Sequence, residues 1–344
     1  MQFMARRKSN KIEPAVMTLN VAIPSTAPGV ISSSTLDLSQ CASLLNRRFY
    51  RQGINWAVAG IKVLSAAGGN GQLRTQKLPN TWVMSNSWEK SMRAWLKMNN
   101  EALAEAESTR PRFMDFKIFA DATHHAAGFG ANLLPLDGQL VPAVMTAGEW
   151  EQSKIQVPIG TAANPTLTAE RDLIAVGPSY PGVGASGNDA LSLIQGYSLS
   201  RGLPNVLDPN VPDQMDYAVG NQPENWLSAM FNDGNEQTSE VLEDLEADNR
   251  VAPYPFENDG VNTVTMYPGG GVQSPSLNTH DLTVISGTTI GGTSRVKGGN
   301  FPCGLIRFDW QADAGNDNSY GLVLQIDLVP GNHRGYLCEP MTEM

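Results

Sequence analysis

The sequence predicts an all-β protein in which two antiparallel sheets pack as a sandwich or a jelly roll, with long loops and one helical insertion. Glycine (33) and proline (22) together make up about a sixth of the 344 residues, whereas charged residues are only 17%. This balance is typical of β-rich proteins with many turns. Strand-like segments dominate both ends of the chain, and no alternation of strands with helices indicates a parallel sheet.

Three strands are predicted before the first helix. Segment 12–24 mixes apolar and β-branched residues between prolines, and segments 54–66 and 77–84 have a similar composition, which is typical of strands. The glycine-rich stretch 68–72 is the predicted connection between the last two, because glycine allows the tight turns that such connections need.

A helix is predicted over residues 86–107. Its larger side chains recur at intervals of three, four and seven residues, which places them on one face. These positions are Trp88, Met92, Trp95, Leu96 and Leu103, with a polar break at Asn99. Asn86, followed three residues later by Glu89, predicts a capping pair at the N-terminus of this helix.

The remaining elements follow from alternation and from turn residues. Segment 113–122 alternates apolar and charged residues and predicts a half-buried strand. Residues 200–275 have little periodicity and many turn residues, so long loops are expected there, with a short helix near 238–247. Strand patterns return at 280–290, 303–312 and 321–329.

Charge is distributed unevenly along the chain. Residues 1–117 hold 16 Lys and Arg against 7 Asp and Glu, a balance of +9, and residues 118–344 hold 8 against 27, a balance of −19, which together give the net charge of −10. Such asymmetry indicates that one face meets a polyanion while another stays acidic, although clustering on solvated surfaces is the alternative. Arg6, Arg7, Lys8 and Lys11 lie in a polar segment that predicts a short, disordered basic arm that binds phosphate.

Composition also limits the cellular setting and the cofactors. Cys41, Cys303 and Cys338 are odd in number and far apart, which argues against a disulfide framework and against a zinc cluster. No run of 18 apolar residues and no secretion signal is present. We therefore expect a soluble protein folded in a reducing compartment, with no membrane span and no cofactor.

Several motifs of catalytic or ligand-binding sites are present only in part. Ser87 and Lys90 match S-x-x-K, but no K-T-G follows, so they are expected to be helix surface residues. His124 and His125 are adjacent and would face opposite ways in a strand, so no metal site is predicted. Segment 309–318 is rich in oxygen ligands without EF-hand spacing; a turn-rich loop is favoured there, and calcium at a subunit interface stays open.

The segment 47–51 combines Arg47, Arg48 and Arg51 with Phe49 and Tyr50. Guanidinium groups pair with phosphates and aromatic rings stack on bases, so this combination is typical of contact with single-stranded nucleic acid. In a strand, Arg47, Phe49 and Arg51 would face one way and the other two residues the opposite way. The alternative is that one aromatic ring packs in the core while the arginines pair with carboxylates of a neighbour.

Several of these segments together resemble capsid proteins of small circular, Rep-encoding single-stranded DNA viruses. The resemblance covers about half the chain, over roughly residues 40–160 and 280–312. The segments are SLLNRRFYRQGINWAVAGIKV, KLPNTWVMSNSWEKSMRAWLKMNNE, FMDFKIFADATHHAAGF with NLLP, and VKGGNFPCGLIRFDW.

The resemblance implies a single jelly roll that self-assembles into an icosahedral shell, with the basic arm facing a packaged single-stranded DNA genome. The partners would be copies of the same chain, the genome and a host receptor, and the location would be the virion after synthesis in the host cytoplasm or nucleus. The domain boundaries would be an arm over 1–11 and a capsid domain over 12–344. That domain would contain the helical insertion at about 86–107 and the loops at about 200–275.

The residues expected to contact phosphate without sequence preference are Arg6, Arg7, Lys8, Lys11, Arg47, Arg48 and Arg51. Many such capsid proteins have a long arginine-rich arm, whereas this arm has four basic residues, so the folded inner surface must contribute. Two alternatives stay open at this point. One is a carbohydrate-binding or surface-attachment β-sandwich, and the other is a glycan-acting hydrolase with paired carboxylates.

Overall fold

The computed structural model describes residues 14–66, 69–104, 108, 114–158, 168–201, 226–231, 276–286, 293–316 and 318–344. The strands are β1 (Thr18–Thr26), β2 (Ile31–Asp37), β3 (Ile54–Ser65), β4 (Gly71–Lys77), β5 (Ile155–Pro158), β6 (Thr168–Ile174), β7 (Ala190–Ser192), β8 (Asn278–Ile285), β9 (Thr293–Phe301), β10 (Leu305–Ala312), β11 (Tyr320–Leu328), β12 (Pro330–Gly331), β13 (Gly335–Tyr336) and β14 (Cys338–Pro340). The helices are α1 (Leu38–Asn46), α2 (Trp82–Ala104), α3 (Ala122–Ala127), α4 (Leu193–Arg201) and α5 (Trp226–Phe231).

Eight of these strands pair as one long hairpin. β1 pairs with β11, β2 with β10, β3 with β9 and β4 with β8, all antiparallel. Successive strands alternate between two sheets, because β11 also pairs with β3 and β10 also pairs with β4. One sheet therefore contains β1, β11, β3 and β9 with β14 added, and the other has the order β2-β10-β4-β8. This is the winding of a jelly roll, and it confirms the predicted all-β sandwich.

Alternation of side chains builds the core between the two sheets. In β1, Leu19 and Val21 are fully buried while Asn20 between them is exposed, as the period of two in a strand requires. On the facing sheet, Phe308 and Trp310 of β10 are also fully buried. The predicted strands 54–66, 303–312 and 321–329 therefore exist with bounds that differ by at most two residues, whereas β1 begins six residues after the predicted start at residue 12. The strands β2 and β9 were not predicted.

The predicted strand 77–84 is wrong. The strand β4 ends at Lys77, because Pro79 lacks the N–H group needed to extend the ladder. The helix α2 begins at Trp82, where the hydroxyl of Thr81 accepts a hydrogen bond from Met84 N at 3.4 Å. The predicted capping pair at Asn86 and Glu89 is wrong as well, since both residues lie inside this helix.

The described elements between β4 and β8 are inserted at the tip of the long hairpin. Its described elements include α2, the predicted helical insertion, and a second core built on that helix, on β5–β7 and on α4 and α5. The predicted short helix near 238–247 and most of the loops predicted over 200–275 lie outside the described residues, and so does the arm 1–11.

Segment 113–122 is not the half-buried strand that its alternation predicts. In its described part, consecutive residues Ile118 and Phe119 are both buried, and a single bridge from Phe119 to Ile174 is the only β pairing there. Its N–H groups are satisfied by other partners, since Ile118 N donates to Gln52 Oε1 at 2.7 Å. Gln52 also donates to Ile118 O and to Asp37 Oδ2, both at 3.1 Å. This buried side chain joins the insertion to the sandwich.

Candidate nucleic-acid interface

The segment 47–51 is a helix end followed by an irregular connection to β3, not a strand. The helix α1 begins directly after β2, because the Asp37 carboxylate accepts from Ser39 N at 2.8 Å and from Gln40 N at 3.3 Å. It ends at Arg47, whose φ of 52° is left-handed. The strand-based expectation that Arg47 and Arg51 share a face is therefore wrong.

A sequence signal for this helix exists. Asp37 followed by Gln40 has the spacing of a capping box. Leu38, Cys41, Ala42 and Leu45 follow at intervals of three and four residues, which is helical spacing.

The side chains of the segment separate into exposed cations and buried rings. Arg47, Arg48 and Arg51 are exposed, whereas Tyr50 is fully buried. The Tyr50 ring lies 5.5 Å from the ring of Tyr336, and its hydroxyl donates to Arg334 O at 3.0 Å. The alternative in which one aromatic ring packs in the core is therefore confirmed for Tyr50.

A hydrogen-bonded triangle fixes the N-terminal segment beside the end of α1. Val16 N donates to Asn46 Oδ1 at 3.0 Å, Asn46 Nδ2 donates to the Tyr336 hydroxyl at 2.7 Å, and that hydroxyl donates to Val16 O at 2.6 Å. Burial raises the pKa of Tyr336 to about 12, against the influence of the Asn46 hydrogen bond and the nearby Arg48 charge. Residue 16 therefore enters the fold next to Arg47 and Arg48.

Arg51 belongs to a different part of this surface, the lining of a cavity of about 600 Å³. Arg334 lines the same cavity and donates from its guanidinium to Phe49 O. Sequence reasoning missed Arg334, because 285 residues separate it from Phe49 and no motif spacing links them. The only available signal was a basic residue in the glycine-flanked turn between β12 and β13.

The two adjacent histidines lie on helix α3, not in a strand, and they bind different partners. His124 accepts from Ala120 N at Nδ1, at 3.0 Å, and its Nε2 lies 2.8 Å from Asn132 Oδ1. Burial lowers the pKa of His124 to about 4. His125 Nε2 lies 3.1 Å from the Asp172 carboxylate. Among the described residues, no three His, Cys, Asp or Glu side chains are grouped to hold a metal ion.

Two arrangements resemble nucleophile sites, but neither is assembled as one. Ser186 donates to the buried Asp172 carboxylate that also binds His125, so the hydroxyl contacts the acid and not the imidazole base. Ser87, of the S-x-x-K match, is fully buried and donates to Val83 O, so the expectation that it lies on the helix surface is wrong. Lys90 Nζ lies 5.9 Å from the centre of the Tyr197 ring. Both serine hydroxyls therefore have partners other than a base.

Comparison of this chain with protein-family models, with curated proteins and with solved structures finds no match. The capsid resemblance therefore stays a prediction, and function is argued from the surface itself. In the part of the chain that the structure describes, no helix combines the length and the apolar character that crossing a membrane requires. The features that suit nucleic acid are the exposed arginines, the adjoining entry of the N-terminal segment and the cavity.

Proposed function

We propose that this protein is a viral capsid protein that self-assembles into a closed icosahedral shell and packages single-stranded DNA through phosphate contacts without sequence preference. The observation that supports this best is the hydrogen-bonded triangle of Val16, Asn46 and Tyr336. It brings the segment that follows Arg6, Arg7, Lys8 and Lys11 to the exposed Arg47 and Arg48. Because Val16 follows Lys11 by five residues, at most about 17 Å of chain, we expect the basic arm and these two arginines to contact the same strand.

The jelly roll is compatible with this function, and lectin domains and cupins use the same architecture for other functions. A shell also needs surfaces that bind other copies. The sheet β2-β10-β4-β8 exposes apolar side chains along both of its edge strands. Ile31 on β2 is 60% exposed, and Leu282 and Val284 on β8 are 58% and 65% exposed. Exposed apolar edges favour association with a further strand or sheet.

Electrostatics makes the phosphate role quantitative. Seven cations, four in the arm and three at Arg47, Arg48 and Arg51, release counterions when they bind a single strand. In a plot of log affinity against log salt concentration, about 0.7 per contact gives a slope of about −5. Deleting residues 1–11 leaves three contacts, which should reduce this slope to about −2 and lower the DNA content of particles. Folding should persist, which circular dichroism of the deletion variant checks.

The deciding experiment is negative-stain electron microscopy of the purified protein, combined with absorbance at 260 and 280 nm. Uniform particles with a high absorbance ratio are the expected result. Monomers at every salt concentration and pH, with or without single-stranded DNA, would contradict the proposal and favour a carbohydrate-binding sandwich. An unchanged salt slope after deletion of the arm would contradict the phosphate role separately.

A further inference from the structure

We infer that the cavity beside Arg51 binds one nucleotide of a single strand, with the base inside and its phosphate on Arg51 and Arg334. This inference deepens the proposed function and rests on it for the choice of a nucleic-acid strand as the occupant. The cavity measures about 600 Å³ and is lined on one side by helix α2, which is ample for one base.

Aromatic rings form one wall of the cavity. The rings of Trp88 and Trp95 lie 5.9 Å and 5.7 Å from the ring of Phe116, between centroids, and all three residues line the space. Trp88 is fixed against the backbone, because a Cβ atom on Gly53 would lie 2.2 Å from its Cζ2 atom. A rigid aromatic wall provides a stacking surface that accepts any base.

Two buried polar atoms of lining residues have no hydrogen-bond partner within the described part of the chain. They are Trp88 Nε1 and Asp115 Oδ2. Trp88 is only 5% exposed, and the nearest cation to Asp115 Oδ2 is Lys117 Nζ, at 3.6 Å. Buried polar atoms normally find partners. Both atoms are shielded from solvent, so a base edge reaches them only when the Trp88 and Asp115 side chains turn towards the cavity.

The charged residues that line the cavity are two arginines and one carboxylate, that of Asp115, and this positive balance favours an anion. Arg51 and Arg334 are both exposed lining residues. Arg334 is held with a left-handed φ of 52°, its carbonyl accepting from the Tyr50 hydroxyl and its guanidinium bonded to Phe49 O. A strained residue kept in place by neighbouring bonds is typical of ligand sites. Arg51 also follows Arg48 by three residues, at most about 10 Å of chain, so one short strand can reach both regions.

Base-dependent binding is the property that tests this pocket. Fluorescence anisotropy of labelled oligonucleotides should be measured on the full chain with (dT)8 and with an abasic strand of the same length and charge. We expect wild-type protein to bind (dT)8 about 5- to 150-fold more tightly, the range for stacking one base. We also expect dTMP alone to bind at least tenfold more weakly than (dT)8.

Substitutions in the cavity lining test whether the preference for (dT)8 arises there. Trp95→Ala should abolish the preference for (dT)8 and leave the affinity for the abasic strand unchanged. Met92→Trp, which fills the cavity, should have the same effect and replaces Trp95→Ala if that variant misfolds. Arg51→Ala should weaken binding of both strands. Arg295→Ala changes another exposed arginine, on β9, and serves as the matched control that should leave the preference intact.

Equal affinity of the wild-type protein for (dT)8 and for the abasic strand would overturn the inference that the cavity binds a base, even if DNA-filled particles form. Failure of this inference is therefore distinct from failure of the capsid proposal. A preference that survives both Trp95→Ala and Met92→Trp would also overturn it. Binding of dTMP as tight as that of (dT)8 would assign the pocket to free nucleotides instead of a strand. Displacement by neutral oligosaccharide without any nucleotide binding would assign it to carbohydrate.

Discussion

Acid should destabilise the fold through His124, which is buried in its neutral form. Its Nδ1 accepts a hydrogen bond from Ala120 N. Protonation of Nδ1 would break this bond and place two N–H donors opposite each other. The folded pKa is about 4, against 6.5 for the free side chain. A lowered folded pKa means that the stabilisation is present above pH 6.5 and is lost as the pH falls towards 4. At about 1.4 kcal/mol per pKa unit, this difference in pKa corresponds to about 3 kcal/mol of stability, most of which is lost by pH 4.

The substitution His124→Asn tests this value, because asparagine can still accept from Ala120 N and does not titrate. Urea unfolding at pH 7 and at pH 4 should show the variant gaining about 3 kcal/mol relative to wild type at the lower pH. Asp37 acts in the opposite direction, since burial raises its pKa from 3.8 to about 7 and its contribution is lost as pH rises. Because Asp37 titrates in both the variant and the wild type, its contribution cancels when their free energies of unfolding are subtracted. A difference between variant and wild type that changes by less than 1 kcal/mol between the two pH values would refute the argument.

Two further substitutions test the arginine surface and the sheet edge. Arg47→Gly should raise the free energy of unfolding by about 0.5–1 kcal/mol, because glycine adopts the left-handed φ at lower cost. Fluorescence anisotropy should show that this variant binds single-stranded DNA more weakly. A lower free energy of unfolding would instead show that the Arg47 side chain supports the helix end. Leu282→Lys should reduce particle formation, followed by light scattering, while the circular dichroism and melting temperature of the monomer stay unchanged. Normal particles from this variant would exclude the β8 edge as a contact between copies, and Thr279→Lys on the same strand is the matched control.

The sandwich was predictable because strands such as β1 and β11 alternate buried residues with more exposed ones over most of their length. A register shift of one residue in either strand would expose its apolar face. Segment 114–120 was not predictable, because some of its backbone N–H groups donate to side chains, such as those of Gln52 and Ser153, whose positions follow no sequence period. Helix α1 was missed although Asp37 and Gln40 marked its start.

The candidate site was predictable only in part. The sequence pointed to the arginines at 47, 48 and 51, because cations and aromatic residues adjoin there. It gave no sign that Arg334 would join Arg51 at one cavity, since tertiary folding alone brings them together. The separation of Arg51 from Arg47 follows from the helix end at Arg47, which turns the chain.

The long hairpin has a consequence for the order in which the protein is made. Thr18 of β1 pairs with Asp327 of β11, 309 residues later. At a ribosomal rate of 5–20 residues per second, the first strand waits about 15–60 s for its partner. Pairing over such a distance is also intrinsically slow. The sandwich therefore closes only after β11 has left the ribosome, and a chain stopped earlier leaves β1 unpaired and cannot present the finished surface to other copies.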